Sequence, residues 1–149
     1  MAKIEWSPDE LKHKASAYCA AAEHCESEVR LKLQQWNCDG KNADEIVDFL
    51  YDHDFLNEVR YCRAYVHDKV LFQSWGRVKI EYMLRAKHLS SHAIQSALQA
   101  IDESEYFQVL SHLIESKRET LSGPNSSEAL TRFLLQRGFT YDEIKHAQV

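Results

Sequence analysis

The sequence has little glycine and little proline, with four Gly and two Pro among 149 residues. Both residue types mark tight turns, so their scarcity favours long helices joined by few turns. The glycines are isolated from one another, which excludes a glycine-rich phosphate-binding loop. A nucleophile elbow and a His-Glu-x-x-His pair are also missing. We therefore predict that the chain is not an enzyme, with no catalytic residues and no cofactor.

Metal-binding and membrane-spanning patterns are missing as well. The cysteines form no Cys-x-x-Cys pair of the kind typical of structural zinc sites; they are Cys19, Cys25, Cys38 and Cys62. We interpret them as buried or neutral thiols and predict no metal site. No run of about 18 apolar residues occurs, so we expect no contact with a membrane. The N-terminus lacks the apolar run of a signal peptide, and we expect a cytoplasmic protein.

One sequence pattern occurs three times at a spacing of about 50 residues. The aligned leucines are Leu33, Leu84 and Leu134. Four residues after each leucine stands a residue type that tolerates left-handed backbone at a helix end: Asn37, His88 and Gly138. Each copy continues into a short helical segment with a buried-type isoleucine: Ile46, Ile94 and Ile144. The repeat predicts one supersecondary unit used three times.

Helix start signals divide the chain into nine segments. Ser7 with Glu10 and Thr140 with Glu143 are typical of capping boxes, and we expect the first helix to run to about His24. Further predicted N-caps include Ser27 and Asn42. No segment alternates like a strand. We predict an all-α protein that forms a single domain over 1–149, with three tandem three-helix repeat units at about 7–56, 57–101 and 102–149.

Three segments of the chain resemble the RecX family of RecA regulators. Segment 132–144 reads RFLLQRGFTYDEI and is similar to the family's C-terminal signature. Segments 56–66, LNEVRYCRAYV, and 75–85, WGRVKIEYMLR, resemble family segments of the middle unit. The three stand in the family's order and spacing, and the likeness covers about residues 18–147.

The resemblance implies a fold, a partner and an activity. The fold would be an elongated, curved body of helices packed at right angles. The partner would be the RecA–DNA filament, bound in its groove. Binding there would limit filament extension or promote disassembly, and so inhibit RecA ATP hydrolysis and strand exchange. We expect a monomer, with bare single-stranded DNA at most a weak second partner. The alternatives are a direct DNA-binding protein and a generic helical-repeat adaptor.

Charge is distributed unevenly along the chain. Residues 57–101 carry a net charge of +4, whereas residues 1–56 carry −6 and residues 102–149 carry −3. A basic middle unit could steer association with an acidic groove or a phosphate backbone. We predict a partner-binding site there, formed by Arg63, Lys69, Trp75, Arg77, Lys79, Arg85 and Lys87.

Two parts of this prediction have a local argument. Arg77 and Lys79 follow Gly76 at a predicted helix start, where positive charge opposes the helix dipole and gains nothing structurally. Binding is therefore the more plausible role for this pair. Trp75 lies in the preceding connection, where it could anchor an interface or instead plug the junction between two helices.

Overall fold

The computed structural model describes residues 5–148, within which all regular structure is helical. Residues 1–4, part of the N-terminus considered above for a signal peptide, lie outside the described residues, as does residue 149. The described helices are α1 Pro8–Ala21, α2 Glu26–Gln35, α3 Gly40–Asp52, α4 Glu58–Leu71, α5 Arg77–Ala86, α6 Ser91–Gln99, α7 Glu103–Arg118, α8 Ser126–Gln136 and α9 Tyr141–Ala147. The prediction of an all-α fold is confirmed. Between residues 5 and 148, no helix has the length and apolar character needed to cross a membrane.

The predicted repeat is visible in the backbone of three helix ends. The turn residues after α2, α5 and α8 all have positive φ: 62° at Asn37, 65° at His88 and 100° at Gly138. The next residue in each turn donates its N–H to the carbonyl of the aligned leucine, at 2.9, 3.4 and 3.2 Å. This is the Schellman bond that satisfies a helix-end carbonyl. The three aligned leucines are each 0% exposed, so the repeat register is confirmed.

Two predicted helix starts and one helix end are wrong. Helix α3 starts at Gly40 because the Asp39 carboxylate accepts the Asn42 backbone N–H at 2.7 Å, which makes Asp39 the cap. Helix α2 starts before Ser27 because Glu28 accepts the Cys25 N–H at 3.0 Å. Helix α1 ends at Ala21, short of His24, since the extended backbone of residue 22 turns the chain toward Cys25.

The buried residues form two separate cores. An N-terminal core lies among α1, α2 and α3, while a larger shared core extends through α4–α9. Among the described residues that precede α4, Cys25 alone belongs to the shared core. Helix α4 packs on α6 within its own unit and on α7 of the next one, which joins the last six helices. The unit boundaries near 56 and 101 stay predictions.

Candidate partner-binding surface

Four side chains meet at the start of α5 in what we name the Trp75 cluster: Tyr65, Lys69, Trp75 and Lys79. Helix α4 supplies Tyr65 and Lys69 from one face, because residues four apart are neighbours on a helix. The Lys69 Nζ lies 5.2 Å from the Tyr65 ring centre and 5.0 Å from the Trp75 ring centre. The Lys79 Nζ lies 4.3 Å from the Trp75 ring centre. Both ammonium groups are therefore placed for cation–π attraction to half-buried rings.

The connection between α4 and α5 fixes the position of the indole. The backbone N–H of Trp75 donates to the Lys69 carbonyl at 2.9 Å, and Ser74 before it has a φ of 56°. Trp75 packs against the shared core with part of its surface still exposed. Burial raises the pKa of the neighbouring Tyr65, with a further contribution from the charge of Glu28. The indole thus fills the junction, and its role as an interface anchor stays a prediction.

Arg77 is turned away from this cluster and toward the last three helices. Its guanidinium pairs with Glu103 and, at 3.4 Å, with Glu143, and it lies 4.2 Å from the ring centre of Tyr106. The Arg77 N–H also donates to the Tyr106 hydroxyl at 3.1 Å. The expectation that the Arg77 charge gains nothing structurally is wrong. Its partners lie 26 and 66 residues further along the chain, so helix-start logic could not reveal them.

Lys87 and Arg60 face the opposite way, toward the first three helices. The Lys87 Nζ lies 3.5 Å from Glu28 Oε2. Arg60, which the sequence analysis did not select, pairs with Glu23 at 2.5 Å and with Asp54 at 3.0 Å. The hydrogen bond to Glu23 raises the pKa of Arg60. Three of the basic side chains in the middle unit therefore join units together.

Arg63 and Arg85 are exposed but lie apart from the Trp75 cluster. Arg63 lines a groove of about 280 Å³ whose lining also includes Val66, Val70, Ile101 and the carboxylates of Asp102 and Glu105. Arg85 pairs with Glu81 at 3.3 Å and donates to the Ser91 hydroxyl at 3.1 Å. Of the candidate residues, the structure brings together only Lys69, Trp75 and Lys79.

Helix α5 also carries an exposed apolar face that the sequence analysis missed. Val78 is 54% exposed and Tyr82 is 72% exposed. They stand four residues apart and lie outside the stripe formed by the buried Ile80 and Leu84. Two apolar residues at helical spacing but outside the buried stripe are the sequence signal that would have identified this face. Tyr82 is three residues from Lys79, so this face adjoins the Trp75 cluster. Between residues 5 and 148, no group of three or more His, Cys, Asp or Glu side chains could hold a metal ion.

Comparison with known proteins places these residues in a family. A family model described as the second three-helix domain of RecX matches residues 57–98. The chain is 33% identical over 125 residues to the regulatory protein RecX of Clostridium botulinum strain Eklund 17B, covering 80% of this chain and 58% of the relative. It is 26% identical over 147 residues to that of Herminiimonas arsenicoxydans, covering 99% and 94%. The chain belongs to the RecX family.

Solved structures of the family share the fold. A crystal structure of RecX from Lactobacillus salivarius superposes with a TM-score of 0.81 at 22% identity, covering 94% of this chain and 93% of that one. A second crystal structure of a regulatory protein RecX gives a TM-score of 0.84 at 16% identity, covering 99% and 82%. The chain spans 58% of the length of the C. botulinum RecX.

Proposed function

We propose that this protein is a non-catalytic regulator of the RecA recombinase. In this proposal it binds in the groove of the RecA–DNA filament and limits filament extension or promotes disassembly, which lowers ATP hydrolysis and strand exchange. The observation that carries the proposal is the match of residues 57–98 to the RecX domain, because that range contains every candidate contact residue predicted from the sequence.

The proposed contact is the Trp75 cluster together with the exposed face of α5. The cluster offers two ammonium groups held in place on rings, and the adjoining face offers an exposed valine and tyrosine. Aromatic side chains dominate many protein interfaces, while charges at the rim steer the approach of an acidic partner. Arg77 and Lys87 are left out of the proposed contact because they hold the units together.

The direct test is RecA ATP hydrolysis on single-stranded DNA, with and without this protein. We expect suppression at substoichiometric protein, because one molecule in the groove contacts several RecA protomers and blocks growth beyond them. Suppression that requires saturation of the DNA would instead indicate competition for the DNA. Affinity for the RecA–DNA filament should exceed the affinity for RecA alone or DNA alone.

A matched pair of variants locates the contact. Lys69→Glu with Lys79→Glu should weaken filament binding about tenfold or more, because it places like charges against an acidic groove. Lys41→Glu with Lys145→Glu makes the same charge change at two exposed lysines outside the cluster. Equal inhibition of RecA by both folded variants would contradict the assignment.

A further inference from the structure

One groove of the protein lies where α4 meets the connection from α6 to α7, and we name it the α4–α7 groove. Its apolar lining residues are Val66, Val70, Leu71, Ala97, Ala100 and Ile101. Its volume of about 280 Å³ is below the usual range of pockets that hold a cofactor or a drug-sized ligand. The groove therefore suits a single large side chain better than a cofactor.

The α4–α7 groove also carries opposite charges on different elements. Arg63 and His67 line it from α4. Asp102 and Glu105 line it from the start of α7, and all four side chains belong to exposed residues. Neither Arg63 nor Glu105 forms an ion pair with another residue in 5–148. Both charges are thus available to a partner.

An exposed phenylalanine stands at the margin of this groove. Phe72 follows Leu71 at the end of α4 and is 72% exposed. Its ring meets the ring of His67 edge-on, with the ring centres 6.3 Å apart, and His67 lines the groove. Aromatic side chains that fill a pocket of the partner are frequent anchors of protein interfaces. The same surface therefore offers both an anchor and a groove that could hold one.

We infer that the protein forms a weak homodimer in which Phe72 of each copy occupies the α4–α7 groove of the other. In a two-fold interface every contact occurs twice, so a surface must complement itself. The opposite charges meet this requirement, because Arg63 of one copy pairs with Glu105 of the other and the reverse. Phe72 and the groove are neighbours, so a single two-fold axis between them serves both contacts.

The size of the contact sets its strength. A stable interface buries about 1,200–2,000 Å² in total, whereas one phenylalanine buries about 150–250 Å². Two such side chains, with the groove surface that each covers, fall below the range of stable interfaces. The dimer is therefore weak, and the monomer expected from the sequence is the form present at low concentration.

The inferred interface leaves the Trp75 cluster accessible. Arg63 and Tyr65 are two residues apart on α4, which places them about 200° apart around the helix. The groove and the cluster thus lie on different sides of α4, and a dimer carries two accessible clusters. Two linked contacts would strengthen binding to any partner with repeated sites. The inference does not rest on the proposed function, because its residues lie outside the contact proposed there.

Sedimentation equilibrium of the full chain measures the association directly. Between about 1 μM and about 1 mM protein, we expect the mean mass to rise from that of one chain toward that of two. A two-fold contact closes on itself, so assembly stops at two copies. Assemblies larger than two would overturn the inference. A single-chain mass over the whole range would also overturn it and would leave the groove to a side chain of another protein.

A pair of serine variants tests the anchor. Phe72→Ser should raise the dissociation constant of the dimer about 100-fold, because an anchor worth about tenfold is lost at two equivalent contacts. Tyr141→Ser is the control, since Tyr141 is also exposed, at 68%, but does not line the groove. It should leave the dissociation constant unchanged. Equal effects of both variants, or no effect of Phe72→Ser, would overturn the inference.

A charge exchange tests the two-fold geometry. Arg63→Glu and Glu105→Arg should each raise the dissociation constant at least tenfold, because like charges then face each other at both contacts. An equimolar mixture of the two variants should associate again, since a copy with two acidic groups then meets a copy with two basic groups. Circular dichroism checks that each variant is folded. A mixture of folded variants that associates no better than either one alone would overturn the inference.

Discussion

The two junctions between neighbouring units use different interactions. Where α1–α3 meet α4–α6, the main contacts are ion pairs: Arg60 with Glu23 and Asp54, and Lys87 with Glu28. Cys25 contributes the apolar contact. Glu23 Oε2 and His24 Nδ1 are buried at this junction without a hydrogen bond from the described residues. The His24 Nδ1 lies 3.5 Å from Glu28 Oε1, and Glu23 pairs with Arg60 through its other oxygen.

Where α4–α6 meet α7–α9, backbone bonds and apolar packing are added to the ion pairs of Arg77 with Glu103 and Glu143. The Gly76 N–H donates to the Arg137 carbonyl at 2.8 Å, and the Val78 N–H donates to the Gly138 carbonyl at 3.1 Å. The first N–H groups of a helix have no partner within the helix, so the α8–α9 turn completes the start of α5. Tyr106 and Phe139 then bury their rings in the shared core, 5.5 Å apart.

The difference teaches that the units are not equally independent. Apolar packing is not screened by salt, whereas partly exposed ion pairs are. We therefore expect α4–α9 to behave as one cooperative body and α1–α3 to open separately from it. Partners or solution conditions could then change the position of the first unit without disturbing the other two.

The largest expected effect comes from truncating the equivalent leucines. Leu33→Ala and Leu84→Ala should each lower the free energy of unfolding by about 2–5 kcal/mol, because each side chain is fully buried and leaves a cavity. In hydrogen exchange, Leu33→Ala should lose protection in α1–α3 only, and Leu84→Ala throughout α4–α9. If Leu33→Ala also exposed α7–α9, the two bodies would not be separate.

Adding a methyl group at Gly76 should break the second junction. A Cβ there would lie 2.3 Å from the carbonyl carbon and oxygen of Gly138, so backbone must move, at a cost of about 1–3 kcal/mol or more. Gly40→Ala is the matched control, since a Cβ at Gly40 has nothing within 4 Å. Thermal unfolding of both variants checks this. If Gly76→Ala leaves thermal unfolding unchanged, the backbone contact between Gly76 and Gly138 relaxes without a measurable cost.

Removing a charge at the first junction should have a smaller and salt-dependent effect. Arg60→Gln should lower the stability of α1–α3 by roughly 0.5–1 kcal/mol at low salt, because its ion pairs are partly exposed. The difference in stability between Arg60→Gln and the unchanged protein should shrink toward zero near 1 M salt, where the Debye length is about 3 Å. Denaturant unfolding at both salt concentrations measures it, and a constant difference would contradict the electrostatic origin.

The smallest effect concerns pH. Burial raises the pKa of Glu28, but the hydrogen bond from the Cys25 N–H and the charge of Lys87 outweigh it and hold the pKa below its ordinary 4.5. A lowered pKa in the folded state stabilises the protein above pH 4.5, and this stability is lost as the pH falls through the lowered value. Glu28→Gln should flatten that dependence for α1–α3. An unchanged pH profile would exclude Glu28 as its source.

Sequence reasoning succeeded where the determinants are local or repeated. The positive φ at Asn37 and His88 followed from their alignment with Gly138, because the same helix end recurs. The capping boxes at Ser7 and Thr140 are likewise contained within four residues.

It failed where distant residues decide. The role of Arg77 depends on Glu103 and Glu143, which no spacing rule connects to it. Cys25, the N-cap residue of α2, is buried in the core formed by α4–α9, which its place in the sequence did not indicate. For the candidate site, the charge distribution identified the basic middle unit. Only tertiary contacts distinguish the basic side chains that join units, such as Arg77 and Lys87, from those of the Trp75 cluster.

The four thiols lie in different parts of the structure, so each should become reactive when a different part opens. Burial raises the pKa of Cys19 and of Cys62 to about 11, so each stays unreactive until its own core opens. Cys19 reports on the N-terminal core, Cys62 on the shared core, and Cys25 on the junction between them. Cys38 is partly exposed, so we expect a reagent to reach it without any opening, although burial and the charge of Asp39 raise the pKa of its thiol. The order in which an alkylating reagent modifies these thiols would record the sequence of opening events in the unmodified chain.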